Sequence, residues 1–204
     1  MNTKTHWDNI YSTKTENEVS WFQPYPQTSV QFIELFNLPV TANIIDIGGG
    51  DSHLVDVLLE KGYQNIWVLD ISAKAIERAK ERLGNRADKV HWIVSDMIEF
   101  DSKGLQFDLW HDRAAFHFLT TDDKIDHYVS LAKDAISKNG YLVLGTFSEE
   151  GPEKCSGLRI RQYSEASMLA EFDVSFERIK CIHEDHVTPF NTVQNFLFCS
   201  FKRK

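Results

Sequence analysis

Residues 43–52 read NIIDIGGGDS and residues 65–72 read NIWVLDIS. Each is an apolar, β-branched run closing on an aspartate, the composition of a buried strand. Three adjacent glycines follow the first run, and a lone carboxylate, Asp70, closes the second. In an open α/β sheet, ligands bind beyond the carboxyl ends of the strands, and both endings fall there. Gly48, Gly49 and Gly50 present no side chain, so a ligand can approach the backbone at a turn into a helix. Asp70 stands 22 residues after Gly48, close to the roughly 20-residue separation at which a second-strand carboxylate meets a ribose hydroxyl pair. Together the two features point to a nucleoside-containing ligand.

The pattern repeats outward from these stretches. Further β-rich runs, KVHWIVSD, FDLWHDR and YLVLGTF, begin near residues 89, 107 and 141. Helical periodicity fills most of the gaps. SHLVDVLLEKG is expected to start on Ser52 as N-cap, to turn Leu54, Val55, Leu58 and Leu59 inward and to stop at Gly62. A second helix runs from Ser72 to Gly84 with Ile76, Ala79 and Leu83 inward. A third opens at DDKIDHYV, with Ile125, Tyr128, Leu131, Ala132 and Ala135 inward, and is released at Gly140. Such alternation predicts crossovers and a parallel sheet. The last segment breaks the rule, because SFERIKCIHEDHVTPF and VQNFLFCSFK flank a Pro189–Thr192 turn with no room for a helix, and so should pair antiparallel. The expected architecture is a single α/β domain over 1–204: a Rossmann-like doubly wound sheet over 43–204, mostly parallel with a C-terminal antiparallel hairpin. Residues 1–27, polar and aromatic with Pro24 and Pro26, form an arm ahead of it.

Composition narrows the function classes. With 42% hydrophobic and 25% charged residues, the chain is of soluble globular type. The first thirty residues hold no apolar stretch of signal-peptide length and nothing approaches a bilayer span, so a cytoplasmic location without membrane contact is expected. A net charge of −8 opposes a phosphate backbone, so no nucleic-acid partner is expected. Cys155, Cys181 and Cys199 match neither a disulfide framework nor a zinc-site spacing and read as free thiols. His183 and His186 lie three apart on a strand, on opposite faces, so no metal is expected.

Which nucleoside follows from what the glycine turn lacks. A dinucleotide fingerprint would need a third glycine where His53 stands, and a phosphate-binding loop would need a lysine followed by Ser or Thr. The stretch Asp46-Ile-Gly48-Gly49-Gly50-Asp51-Ser52 instead resembles the first motif of the class I S-adenosylmethionine-dependent methyltransferases, an acidic residue, one spacer and Gly-x-Gly-x-Gly, with Ser52 in place of the last glycine. The resemblance implies S-adenosylmethionine as cofactor. By similarity Asp46 and the three glycines belong to its site, Asp70 with the adjoining Ile71 would hold the ribose, Ser95-Asp96-Met97 would meet the adenine, and His111 would face the methyl-donating end. Trp7-Asp8-x-x-Tyr11 and Trp21-Phe22-Gln23-Pro24 are similar to the entry segment of small methyltransferases acting on thiols, halides or protein lysines, which folds over the cofactor. Trp7, Tyr11 and Trp21 join the cofactor set on that ground.

Methyl transfer is an in-line displacement in which the donor loses its positive charge, so alignment and exclusion of water matter more than a heavy catalytic apparatus. A general base matters only for a protonated acceptor. His111 and Asp112 are the catalytic candidates, with His117 behind them. The loop holding Cys155, Arg159 and Arg161 is where acceptor specificity could lie, although a solvated loop is the simpler reading. Strand four ends in His111-Asp112-Arg113-Ala114 and lacks the Asn/Asp-Pro-Pro-aromatic motif of base-amino methyltransferases. A small-molecule acceptor, thiol or acid, is therefore expected. A protein lysine, a cofactor-binding protein without turnover and an NAD(P)-dependent oxidoreductase are the alternatives.

Overall fold

The computed structural model describes residues 3–204. Helices α1 (Thr3–Thr13) and α2 (Gln27–Glu34) precede β1 (Asn43–Ile47), α3 (Leu54–Glu60), β2 (Asn65–Asp70), α4 (Ala73–Leu83), β3 (Val90–Val94) and β4 (Phe107–Arg113). Then follow α5 (Asp122–Ala135), β5 (Ile136–Phe147), the short pair β6 (Lys154–Cys155) and β7 (Leu158–Arg159), α6 (Glu165–Phe172), β8 (Phe176–Val187) and β9 (Val193–Arg203). Seven strands form one sheet in the order β3-β2-β1-β4-β5-β9-β8. The first five are parallel; β9 is antiparallel to β5, and β8 to β9. The chain winds from β1 outward to β3 and returns beside β1 as β4, so the strand order reverses between β1 and β4. That reversal opens a crevice at their carboxyl ends.

Both faces of the sheet are covered, which is why the parallel strands read as near-continuous apolar runs. On one face Ile44, Val68, Leu109 and Phe198 pack with Phe32 of α2, Val55 and Leu58 of α3 and Ile76 of α4. On the other, Ile45, Leu69, Trp110 and Leu144 pack with Tyr128 of α5 and Met168 and Phe172 of α6.

Three local expectations need correcting. Helix α3 begins at Leu54 rather than on a Ser52 cap, because the Ser52 hydroxyl is used two residues on, accepting from the Leu54 N–H at 3.2 Å. Helix α5 ends at Ala135, not Gly140. The chain re-enters the sheet at Ile136 and slips register between Phe107 and Leu109, and a Cβ on Gly140 would meet the Ser137 carbonyl at 2.9 Å. The glycine thus permits a close backbone approach within the strand. Cys181 and Cys199 are joined in a disulfide, so they are not free thiols, whereas buried Cys155 is free. They are direct cross-strand partners in the β8–β9 ladder, a neighbourhood set by hairpin register and not by sequence spacing. Finally, α6 carried no expectation; its Ser164 hydroxyl accepts from the Ser167 N–H and so caps it.

Candidate cofactor and acceptor site

The glycine turn is built as a cradle. Gly48 and Gly50 take positive φ (64° and 47°), and a Cβ would lie 2.6 Å from the Ala115 Cβ at Gly48 and 2.6 Å from the Asp46 carboxylate at Gly49. At Gly50 it would sit 2.9 Å from the Tyr11 hydroxyl and 3.0 Å from the Asp70 carboxylate. No side chain larger than hydrogen fits without displacing these neighbours.

Asp70, at the end of β2, is buried; its Oδ1 accepts the Ser72 N–H at 2.7 Å. Burial pushes its pKa up to about 7; the Ser72 amide opposes the shift, while Asp51 and Asp46 add to it. Asp51 is itself raised by burial and is ion-paired to Arg78 of α4 at 2.9 Å. The Arg78 guanidinium lies 5.7 Å from the centre of the Tyr11 ring, and its Nη1 donates to the Lys14 carbonyl at 2.8 Å. The Ser72 hydroxyl donates to Asp8 at 2.7 Å. Through these contacts α1 is tied to the start of α4.

One cavity lies against this apparatus. Asp70, Ile71, Ser95, Asp96 and Met97 line one side, and Gly48, Ala114, Phe118 and Cys155 another, beneath Trp7, Tyr11 and Trp21. The aromatics pack edge to face: Trp7 lies 5.7 Å from Trp21 and 5.2 Å from Phe118. Asp96 also caps the following turn, accepting the Ile98 N–H at 3.2 Å. A second cavity is lined by Ser29, Asp46, Gly48, Gly49, His53, His111 and Phe22. Tyr11, Trp21, Gly48 and Arg113 border both.

The structure thus brings Trp7, Tyr11, Trp21, Gly48, Asp70, Ile71, Asp96 and Met97 to one cavity, and Asp46, Gly49 and His111 to its neighbour; Gly50 stands behind the first, against Tyr11 and Asp70. His111 is buried between two partners, with Nδ1 2.7 Å from Asp46 and Nε2 2.9 Å from the Ser29 hydroxyl. Asp112 points to the opposite face of β4 and lines neither cavity. It accepts from the Ala115 and Phe116 amides (3.0 Å each) and from the Tyr128 hydroxyl (2.7 Å), while burial lifts its pKa to about 6. Those bonds hold the Ala114–Phe116 turn, where Ala114 takes φ 64°, and so shape the cavity wall from behind. His117 is also buried and lines neither cavity; burial holds its pKa at about 3, so it stays neutral. His186 bonds the Ser20 carbonyl at 2.7 Å and His183 bonds Asn195, each with its own partner. Arg161 is taken up by Asp122 and Glu171, away from both cavities. Ser29, Asp51, Arg78, Arg113 and Phe118 were not singled out from the sequence: Ser29 and Arg78 reach the site from other elements, while Asp51, Arg113 and Phe118 stand beside stretches that were read and are marked only by the side they face.

Residues 45–142, which span the glycine turn, Asp70 and β4, match the family described as a methyltransferase domain. The chain has the class I methyltransferase fold. Among solved structures, the chain is similar to the N-methyltransferase NodS of Bradyrhizobium japonicum, captured with S-adenosylhomocysteine (TM-score 0.75, 14% identity, 99% of each chain). Among characterised proteins it is 24% identical over 121 residues to the mouse eEF1A lysine and N-terminal methyltransferase, covering 58% of this chain and only 17% of that protein. It is 22% identical over 202 residues to the human EEF1A lysine methyltransferase 2, covering 88% of this chain and 76% of the relative. The cofactor of that family is S-adenosylmethionine, and the glycine cradle, the buried Asp70 carboxylate and the aromatic roof of this chain fit such a group. No described helix is long and apolar enough to cross a membrane.

Proposed function

We propose that this chain binds S-adenosylmethionine across the two cavities and transfers its methyl group to a small-molecule acceptor. The observation that carries the reading is the convergence of the glycine cradle and Asp70 beneath Trp7, Tyr11 and Trp21. Asp70 would hold the ribose hydroxyls, with Ile71, Asp96 and Met97 around the adenine, and Asp46, Gly48, Gly49 and His111 would border the amino-acid end. When bound, the cofactor supplies an electrophilic methyl group on a cationic sulfur. The aromatic faces can hold such a cation without neutralising it, each contributing about 0.5–2 kcal/mol, and the same rings exclude water from the reacting centre. Asp46 and Ser29 orient the His111 ring. Because both ring nitrogens are engaged, His111 serves this geometry by positioning; Asp112 does so by bracing the 114–116 turn. An acceptor with an available lone pair then needs alignment more than proton abstraction.

Calorimetry with S-adenosylmethionine and S-adenosylhomocysteine tests the reading, with NAD and ATP as controls. An acceptor screen that follows S-adenosylhomocysteine formation tests turnover. Comparable affinity for NAD would overturn the cofactor assignment. The similarity to the eEF1A methyltransferases favours a second reading, a protein lysine acceptor. Incubation of the enzyme with purified eEF1A and labelled methyl donor decides for it if label enters lysine.

A further inference from the structure

The two cavities meet at one cationic side chain. Arg113 closes β4 and borders both, and among the described residues no other lysine or arginine lines either. Its Nη1 donates to the Trp21 carbonyl at 3.0 Å. Its Nε and Nη2, the side-on edge of the guanidinium, are shut off from solvent and have no hydrogen-bond partner. The guanidinium carbon lies 4.9 Å from the centre of the Phe196 ring, and Arg113 takes part in none of the ion pairs of the described residues. Burial lowers its pKa only to about 10, so it remains charged at neutral pH. Of the carboxylates that act on it, Asp46 is engaged by His111, and Glu184, the strongest, makes no ion pair or hydrogen bond with it and keeps its own buried Oε2 without a partner.

An unpaired buried cation is costly, and the side-on edge of a guanidinium matches a carboxylate with two parallel hydrogen bonds. A carboxylate seated at the border of the two cavities would lie against this guanidinium. An ammonium group at the same place would meet a like charge in a poorly screened cleft. We propose that Arg113 is the specificity-determining residue of the acceptor site, and that the acceptor carries a carboxylate. This deepens the small-molecule reading above and rests on it. Arg159 and Arg161, the cations that the sequence offered for such a clamp, line neither cavity.

The test is a charge series bound to the protein saturated with S-adenosylhomocysteine, at constant ionic strength: propionate, propionamide and propylamine, followed by calorimetry and thermal shift. The wild type should bind propionate at least about tenfold more tightly than propylamine, with propionamide between. In Arg113→Met the propionate advantage should vanish while S-adenosylhomocysteine affinity stays within about threefold. Should Arg113→Met fail to fold, Arg113→Gln carries the same comparison, and the wild-type order stands as a test by itself. A flat or reversed order, no propionate binding up to tens of millimolar, or an unchanged order in the variant overturns the proposal. Propionate that competes with S-adenosylhomocysteine, or a variant that loses S-adenosylhomocysteine affinity more than tenfold, assigns Arg113 to the cofactor's own carboxylate and overturns it too. Failure of S-adenosylhomocysteine to bind the wild type is a separate result, which refutes the cofactor reading itself.

Discussion

Replacing Asp70 by Asn should stabilise the ligand-free protein and at the same time weaken its hold on cofactor. Asp70 is buried against Asp51, Asp46 and Tyr11, with Arg78 compensating mainly Asp51, and its pKa stands near 7 instead of 3.8. Between those values the folded protein keeps a proton that the unfolded chain releases, so stability falls as pH rises through the window, by about 1.4 kcal/mol per unit, and reaches a limit above pH 7. The full penalty at pH 8 is at most about 4 kcal/mol. Asn, a neutral isostere, escapes it. Asp112, at about 6, acts in the same direction, whereas His117, at about 3, acts oppositely below its ordinary value. The pH dependence of the difference between wild type and variant therefore isolates Asp70. Urea denaturation at pH 4 and at pH 8 should show the variant gaining relative stability only at the higher pH. Calorimetry at pH 8 should show S-adenosylhomocysteine affinity reduced at least about tenfold, through the loss of charge-assisted bonds worth roughly 1.5–3 kcal/mol each. A stability difference that does not change with pH, or an unchanged affinity, would refute the reasoning.

Gly48→Ala should lower both melting temperature and cofactor affinity, since its Cβ would fall 2.6 Å from that of Ala115 at a φ of +64°; native affinity in that variant would show that the turn yields freely. His111→Ala should weaken cofactor binding and melting temperature together, because it leaves Asp46 and Ser29 without their partner. Turnover falling alone, by about 10²-fold or more with affinity and stability intact, would instead make His111 the base. Asp112→Asn should likewise gain stability relative to wild type as pH rises from 4 to 8, because it escapes the burial penalty that lifts the Asp112 pKa to about 6, as read by urea titration; a difference that does not change with pH would refute that penalty. Asp8→Ala should release α1 from Ser72 and speed its limited proteolysis, and an unchanged cleavage rate would show that the aromatic contacts alone hold it.

The strand-and-helix alternation, the antiparallel hairpin at the end and the pairing of a glycine turn with Asp70 were legible in the chain itself. They rest on short-range causes: side-chain period, the conformational freedom of glycine, and the separation a βαβ unit imposes. Ser72 could be read as a cap because its partner lies three residues away. What lay outside the sequence is what long-range packing assembles. Ser29 meets His111 across 82 residues, and Arg113 reaches the Trp21 carbonyl across 92. Cys181 found Cys199 only through hairpin register. Asp112 illustrates the division well. A carboxylate at the end of a strand beside a cleft reads as a base, but alternation turns it to the far face of β4 beside Tyr128, while the next residue, Arg113, points to the cleft. Which of two neighbouring charged residues faces the ligand depends on which side of the sheet the crevice opens, and only the packing of α2, α3 and the aromatic arm against that side decides it.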